Sequence, residues 1–121
     1  MPKILIVDDD TTITELMKAL MTMEGHQPTI VNDSTKALDV ASSVNPDLIT
    51  LDLMMPGLSG FELCELLHHD PRFTSTPIMI VSAKDDAASK ERARQVGARE
   101  YVTKPFSIDD LLQKIKELTS S

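Results

Sequence analysis

The chain has 121 residues, 41% of them apolar and 26% charged, a length and balance suited to one folded unit with a real core and too short for two ordinary ones. Aromatics make up 3% and Trp is absent, so the core must come from Ile, Leu, Val and Met, and stacking platforms for single-stranded nucleic acid are missing. A formal net charge of −7 repels phosphate backbones and anionic lipid, which argues against direct nucleic-acid or membrane binding.

Short apolar runs alternate with helical patterns along the whole chain. Ile4–Val7 is a continuous apolar run that stops at Asp8-Asp9-Asp10. It is too short for a signal peptide, and no other run approaches transmembrane length, so a cytoplasmic location is expected. Ile13, Leu16, Met17 and Leu20 follow at helical spacing, with Gly25 as the stop. Thr29–Val31 is a weaker strand. Ala37, Leu38, Ala41 and Val44 form a second helical stripe, ended by Asn45-Pro46, and Leu48–Leu51 is a strand that ends at Asp52.

Ser59-x-x-Glu62 is a capping-box pattern opening a third helix through about Leu67. The lone cysteine, Cys64, lies in its apolar run of Leu63, Leu66 and Leu67 and reads as a small buried hydrophobe without a disulfide partner. Ile78–Val81 ends at Ser82. A fourth helix from Asp86 to Val96, closed by Gly97, has a thin stripe of Ala88, Ala93 and Val96. Tyr101-Val102-Thr103 is the last strand and ends at Lys104. Ser107 caps a fifth helix, with Asp109 and Asp110 in its first turn and Ile108, Leu111, Leu112, Ile115 and Leu118 on its buried face. The tail Thr119-Ser120-Ser121 is expected to fray, and His26, His68 and His69 are expected at the surface. Unalternating apolar runs suit strands covered on both faces, so five strands and five helices predict an open α/β sandwich with a parallel sheet.

The polar residues carry the functional signal. Asp8-Asp9, Asp52, Ser82 and Lys104 each follow directly on a predicted strand, and in an open parallel sheet those strand ends share one edge, where ligands bind. Singly, each has an ordinary explanation: a helix cap, a turn residue before Pro56-Gly57, a second cap, a solvated lysine. Together they place three carboxylates, a hydroxyl and an ammonium around one pocket. Hard oxygen ligands suit Mg²⁺, a carboxylate can become an aspartyl-phosphate, and a transferring phosphoryl group needs positioning and countercharge.

The ordered motifs Val7-Asp8-Asp9, Leu51-Asp52-Leu53-Met54-Met55-Pro56-Gly57, Ile80-Val81-Ser82-Ala83 and Tyr101-Val102-Thr103-Lys104-Pro105-Phe106 closely resemble the receiver domains of two-component response regulators. The resemblance spans essentially all of residues 1–121. It implies one receiver domain with a doubly wound, flavodoxin-like five-stranded parallel sheet of strand order 2-1-3-4-5 and five helices.

It further implies that Asp52 accepts a phosphoryl group from a phosphohistidine on a sensor histidine kinase or histidine phosphotransfer protein. Asp9, Asp52 and the Met54 carbonyl would ligate Mg²⁺ or Mn²⁺, with Asp8 acting through a bound water. Lys104 would pair with the Asp52 carboxylate at rest and, with Ser82 and the Ala83 N–H, would hold the phosphoryl oxygens after transfer, and Lys104-Pro105 corresponds to a cis peptide bond. Ser82 and Tyr101 would form the switch, changing the face made by the fourth helix, last strand and fifth helix toward a downstream effector or output domain. Such a domain is no enzyme beyond its own phosphorylation and dephosphorylation, and homodimerisation through the fourth and fifth helices stays open. An aspartyl-phosphate phosphohydrolase would instead place its nucleophile in an Asp-x-Asp motif on the first strand. A flavodoxin-like cofactor binder would want a phosphate loop where Asp8-Asp9-Asp10 stands. A degenerate receiver that only binds partners would lack some of the key residues, all of which are present.

Overall fold

The computed structural model describes residues 1–120. Five strands, β1 (Lys3–Val7), β2 (Gln27–Val31), β3 (Leu48–Leu51), β4 (Ile78–Ser82) and β5 (Glu100–Thr103), alternate with five helices. These are α1 (Thr11–Met23), α2 (Ala37–Val44), α3 (Gly60–His69), α4 (Ala87–Gln95) and α5 (Ile108–Thr119), and a 3-10 turn, Ser34–Lys36, leads into α2. All strand pairs are parallel and the order is β2-β1-β3-β4-β5. This is the doubly wound architecture that the sequence predicts.

The strands separate two apolar layers because successive side chains point to opposite faces. Ile4 and Ile6 pack with Met17, Met21, Leu111 and Ile115 of α1 and α5. Leu5 and Val7 pack with Ala41 of α2, Leu63 and Leu67 of α3 and Ala93 of α4. The central strands β1, β3 and β4 are almost wholly buried, which is why their sequences show no alternation.

Helix ends follow the local chemistry. Ser59 Oγ accepts from the Glu62 N–H at 3.2 Å, an Asp86 carboxylate oxygen from the Ser89 N–H at 2.9 Å, and Ser107 Oγ from the Asp110 N–H at 3.3 Å. Asn45 closes α2 in the left-handed region, φ 54°, a conformation its short polar side chain tolerates.

Several burial expectations fail. Leu16, Leu66 and Ile108 are 42%, 47% and 47% exposed; each lies at the border of its helix's apolar arc, and the sheet covers the neighbouring residues instead. In α4 the buried positions are Ser89 and Ala93, and Ala88 faces solvent. Thr119 does not fray: it ends α5, and its hydroxyl donates to the Ile115 carbonyl at 2.8 Å. Ser121 lies outside the described residues. His26 and His68 are half-buried and only His69 is exposed. No helix of the described residues is long and apolar enough to cross a membrane.

Cys64 is fully buried, and its thiol donates to the Val96 carbonyl at 3.6 Å. Burial, with the charge of Glu65, pushes this thiol up to about 12 from 9.0. A folded-state pKa raised above the unfolded one stabilises fully below about 9 and is lost as pH climbs toward 12. Wild type should therefore lose stability relative to Cys64→Ala by about 1.4 kcal/mol per pH unit within that window. Denaturant melts at pH 8, 9.5 and 10.5 check this; parallel pH dependences would place the thiol in solvent.

Candidate functional site

Two backbone hydrogen bonds across the sheet assemble the site. The Asp52 N–H donates to the Val7 carbonyl at 3.0 Å, and the Lys104 N–H to the Ser82 carbonyl at 2.8 Å. The first sets Asp52 beside Asp8 where β3 meets β1, and the second sets Lys104 beside Ser82 where β5 meets β4. Because β3 and β4 are neighbours, both pairs share one edge, as expected at strand C-termini in this topology.

Asp8 and Asp52 are 2% and 6% exposed, and Asp9 is open to solvent. One carboxylate oxygen from each of the three lies within 4.8 Å of the others. Asp10 stands apart from them: its Oδ1 accepts from the N–H groups of Thr12 and Ile13 at 2.9 and 3.3 Å and caps α1. Helix capping thus accounts for one aspartate of the run and leaves Asp8 and Asp9 for other work.

Lys104 Nζ donates to Asp8 Oδ2 at 2.7 Å and reaches Asp52 Oδ2 at 3.5 Å. Asp8 is therefore its nearer partner. Burial pulls the ammonium down, but the bond to Asp8 and the charges of Asp52 and Asp8 more than offset this and raise it above the ordinary lysine range. Asp8 is also raised: burial penalises its charge most, the Lys104 bond and the Asp10 N–H work against that, and the Asp52 charge adds to it. Two buried carboxylates and a third at the rim carry more negative charge than one lysine cancels. That donor set, all hard oxygen, fits a small divalent cation such as Mg²⁺ or Mn²⁺.

Ser82 is fully buried, and its Oγ accepts from the Lys84 N–H at 3.3 Å. Ala83 follows it, exposed, at the mouth of the site. The Met54 N–H donates weakly to Asp52 Oδ1 at 3.4 Å while its side chain points to solvent. The Lys104–Pro105 peptide is cis. Tyr101 is half-buried against the α3–α4 side of the core, and its hydroxyl donates to the Lys84 carbonyl at 2.6 Å. The ring thus already bridges β5 and the segment that follows Ser82.

The structure adds residues that the sequence does not single out. Asn32 Nδ2 donates to the Asp8 carbonyl at 2.8 Å. Ser34 Oγ donates to the Pro56 carbonyl at 3.2 Å, tying the turn before α2 to the loop after Asp52. Gly60 lies against the backbone of Asp52 and Leu53. The first two contacts join distant segments and the third closes the loop between Leu53 and α3, and no local pattern announces them.

Residues 4–116 match the family model described as the response regulator receiver domain. The chain is 36% identical over 118 residues to a protein of Synechocystis sp. named the DNA-binding dual master transcriptional regulator RpaA, covering 98% of this chain and 49% of that protein. It thus spans about half the length of that relative. It is 36% identical to Protein PilG of Pseudomonas aeruginosa, covering 94% of this chain and 84% of PilG. Among solved structures, the receiver domain of the Francisella response regulator 1452 superposes with a TM-score of 0.90 at 35% identity, covering 98% of this chain and 97% of that one.

Proposed function

This chain belongs to the response regulator receiver family, and on that premise we propose that Asp52 is the acceptor of its phosphorylation-activated switch. The observation that carries this is the placement of Asp52: buried, central in the sheet, within reach of Asp8, Asp9 and Lys104, and at the edge rather than the floor of the fold. Asp9, Asp52 and the Met54 carbonyl would hold Mg²⁺ or Mn²⁺, with Asp8 acting through a bound water. When bound, the cation supplies charge neutralisation and orientation of phosphoryl oxygens.

An Asp52 carboxylate oxygen attacks the phosphorus of a phosphohistidine on a sensor histidine kinase or phosphotransfer protein. The O–P bond forms as the N–P bond breaks, and the electron pair leaves on the imidazole nitrogen. Lys104 faces the developing charge from the side of Asp8. The Ser82 hydroxyl and the Ala83 N–H donate to the remaining oxygens; Ser82 Oγ accepts from the Lys84 N–H, which leaves its own proton free to donate, and Ser82 is drawn toward the phosphoryl group. Tyr101 is bonded to the Lys84 carbonyl, so movement of Ser82–Lys84 is felt by the ring and by the face of α4, β5 and α5. That face meets the downstream effector or output segment. Residues 1–121 act as one receiver unit in the cytoplasm, and beyond its own phosphorylation and dephosphorylation the unit does no catalysis.

The test is incubation with phosphoramidate or acetyl phosphate and Mg²⁺, followed by intact mass. A base-labile gain of about 80 Da, one phosphoryl group, that EDTA suppresses is expected. Absence of any adduct with Mg²⁺ present overturns the reading.

A further inference from the structure

Asp9 is the one carboxylate of the triad that no neighbouring group holds. Among the described residues its side chain accepts no hydrogen bond, whereas Asp8 is gripped by Lys104 and the Asp10 N–H. The aim of Asp9 must therefore come from its backbone, and the peptide between Asp8 and Asp9 is fixed at its carbonyl. Asn32 Nδ2 donates to that carbonyl at 2.8 Å and to Thr14 Oγ1 at 3.2 Å. Thr14 is buried in α1, and its hydroxyl donates in turn to the Thr11 carbonyl at 3.2 Å. One amide thus joins the end of β2, the end of β1 and the first turn of α1.

We propose that Asn32 is a positioning residue for the cation site, setting the plane of the Asp8–Asp9 peptide so that Asp9 points at the metal. A carbonyl and the following N–H share one rigid plane, so holding the Asp8 carbonyl fixes where the Asp9 Cα and its side chain start. Without Asn32 that carbonyl turns to water and Asp9 samples orientations that do not converge on Asp8 and Asp52. Residues that orient metal ligands in this way are worth roughly 10–100-fold in affinity. Asn32 is itself solvent-exposed, which puts the expectation at the lower end.

The inference rests on the cation reading of Asp8, Asp9 and Asp52, and the experiment separates the two. Calorimetric titration of the full chain with MgCl₂ is paired with phosphoramidate labelling across Mg²⁺ concentrations. Asn32→Ala should raise the Mg²⁺ Kd about tenfold and keep the wild-type labelling rate at saturating Mg²⁺. Thr14→Val, which removes the second anchor of the amide, should shift Kd in the same direction, and Thr14→Ser should restore it. A Kd within about twofold of wild type in Asn32→Ala overturns the proposal, as does a saturating rate that falls in step with affinity. If the wild type itself binds no Mg²⁺, the cation reading falls first.

Discussion

Asp52→Asn should give a folded protein that takes no phosphoryl adduct under conditions that label the wild type fully. Asparagine keeps the size and shape of the side chain, so packing against β1 is unaltered. What it removes is the nucleophile: a neutral amide oxygen does not attack phosphorus as a carboxylate does. It also removes one of the three negative charges that make the site suit a divalent cation, so Mg²⁺ affinity should drop as well. Folding should not suffer. The Asp52 charge helps hold Asp8 above the ordinary carboxylate range, so deleting it relieves like-charge repulsion in a buried place. Circular dichroism melts should show a midpoint equal to or above wild type while intact mass shows no gain. An adduct that persists in Asp52→Asn would move the acceptor to Asp8 or Asp9, and peptide mapping would say which.

That prediction was readable from sequence because the site is built from strand ends. Each functional residue directly follows an apolar run, and parallel pairing does the rest: Val7 pairs with Leu51, and Ser82 with Thr103, so the next residues are neighbours by necessity. The helix caps at Ser59 and Ser107 are equally legible, since capping is decided within four residues.

What the sequence misjudged depends on contacts between distant segments. Helical spacing cannot tell the centre of an apolar arc from its border, which is why Leu16, Leu66 and Ile108 were expected inside. The nearer partner of Lys104 was also hidden. The resemblance pairs it with the acceptor carboxylate, but the side chain from β5 passes Asp52 and ends on Asp8. Asn32 had no local signal at all, since its partners are Asp8 and Thr14 across two other elements.

Gly60 is the other residue whose importance is invisible in one dimension, and its replacement carries the largest expected structural effect. Its N–H donates to the Leu53 carbonyl at 3.1 Å, so the first residue of α3 packs directly on the acceptor segment. A Cβ at this position would stand 2.2 Å from the Asp52 carbonyl oxygen and 2.4 Å from the Leu53 Cα. Both obstacles are backbone, and neither can swing aside as a side chain would. Gly97 presents a different case: the obstacle to its Cβ is the half-buried His68 side chain rather than backbone, and its φ of +112° adds the left-handed cost. Gly25 meets nothing within 4 Å, and its cost comes only from φ +84°, about 1–2 kcal/mol for an L side chain. Gly60→Ala should therefore be the most damaging of the three, at about 3 kcal/mol or more, the upper end for forced overpacking. Relief requires α3 to retreat or the Asp52–Leu53 peptide to shift, and either moves the acceptor relative to Asp8, Asp9 and Lys104. Urea melts of Gly25→Ala, Gly60→Ala and Gly97→Ala, with phosphoramidate labelling of each, should show stability and labelling rate falling together at Gly60 only. A Gly60→Ala variant as stable as Gly25→Ala would mean that α3 is not seated on the acceptor segment, and that the position of Asp52 is set by the sheet alone.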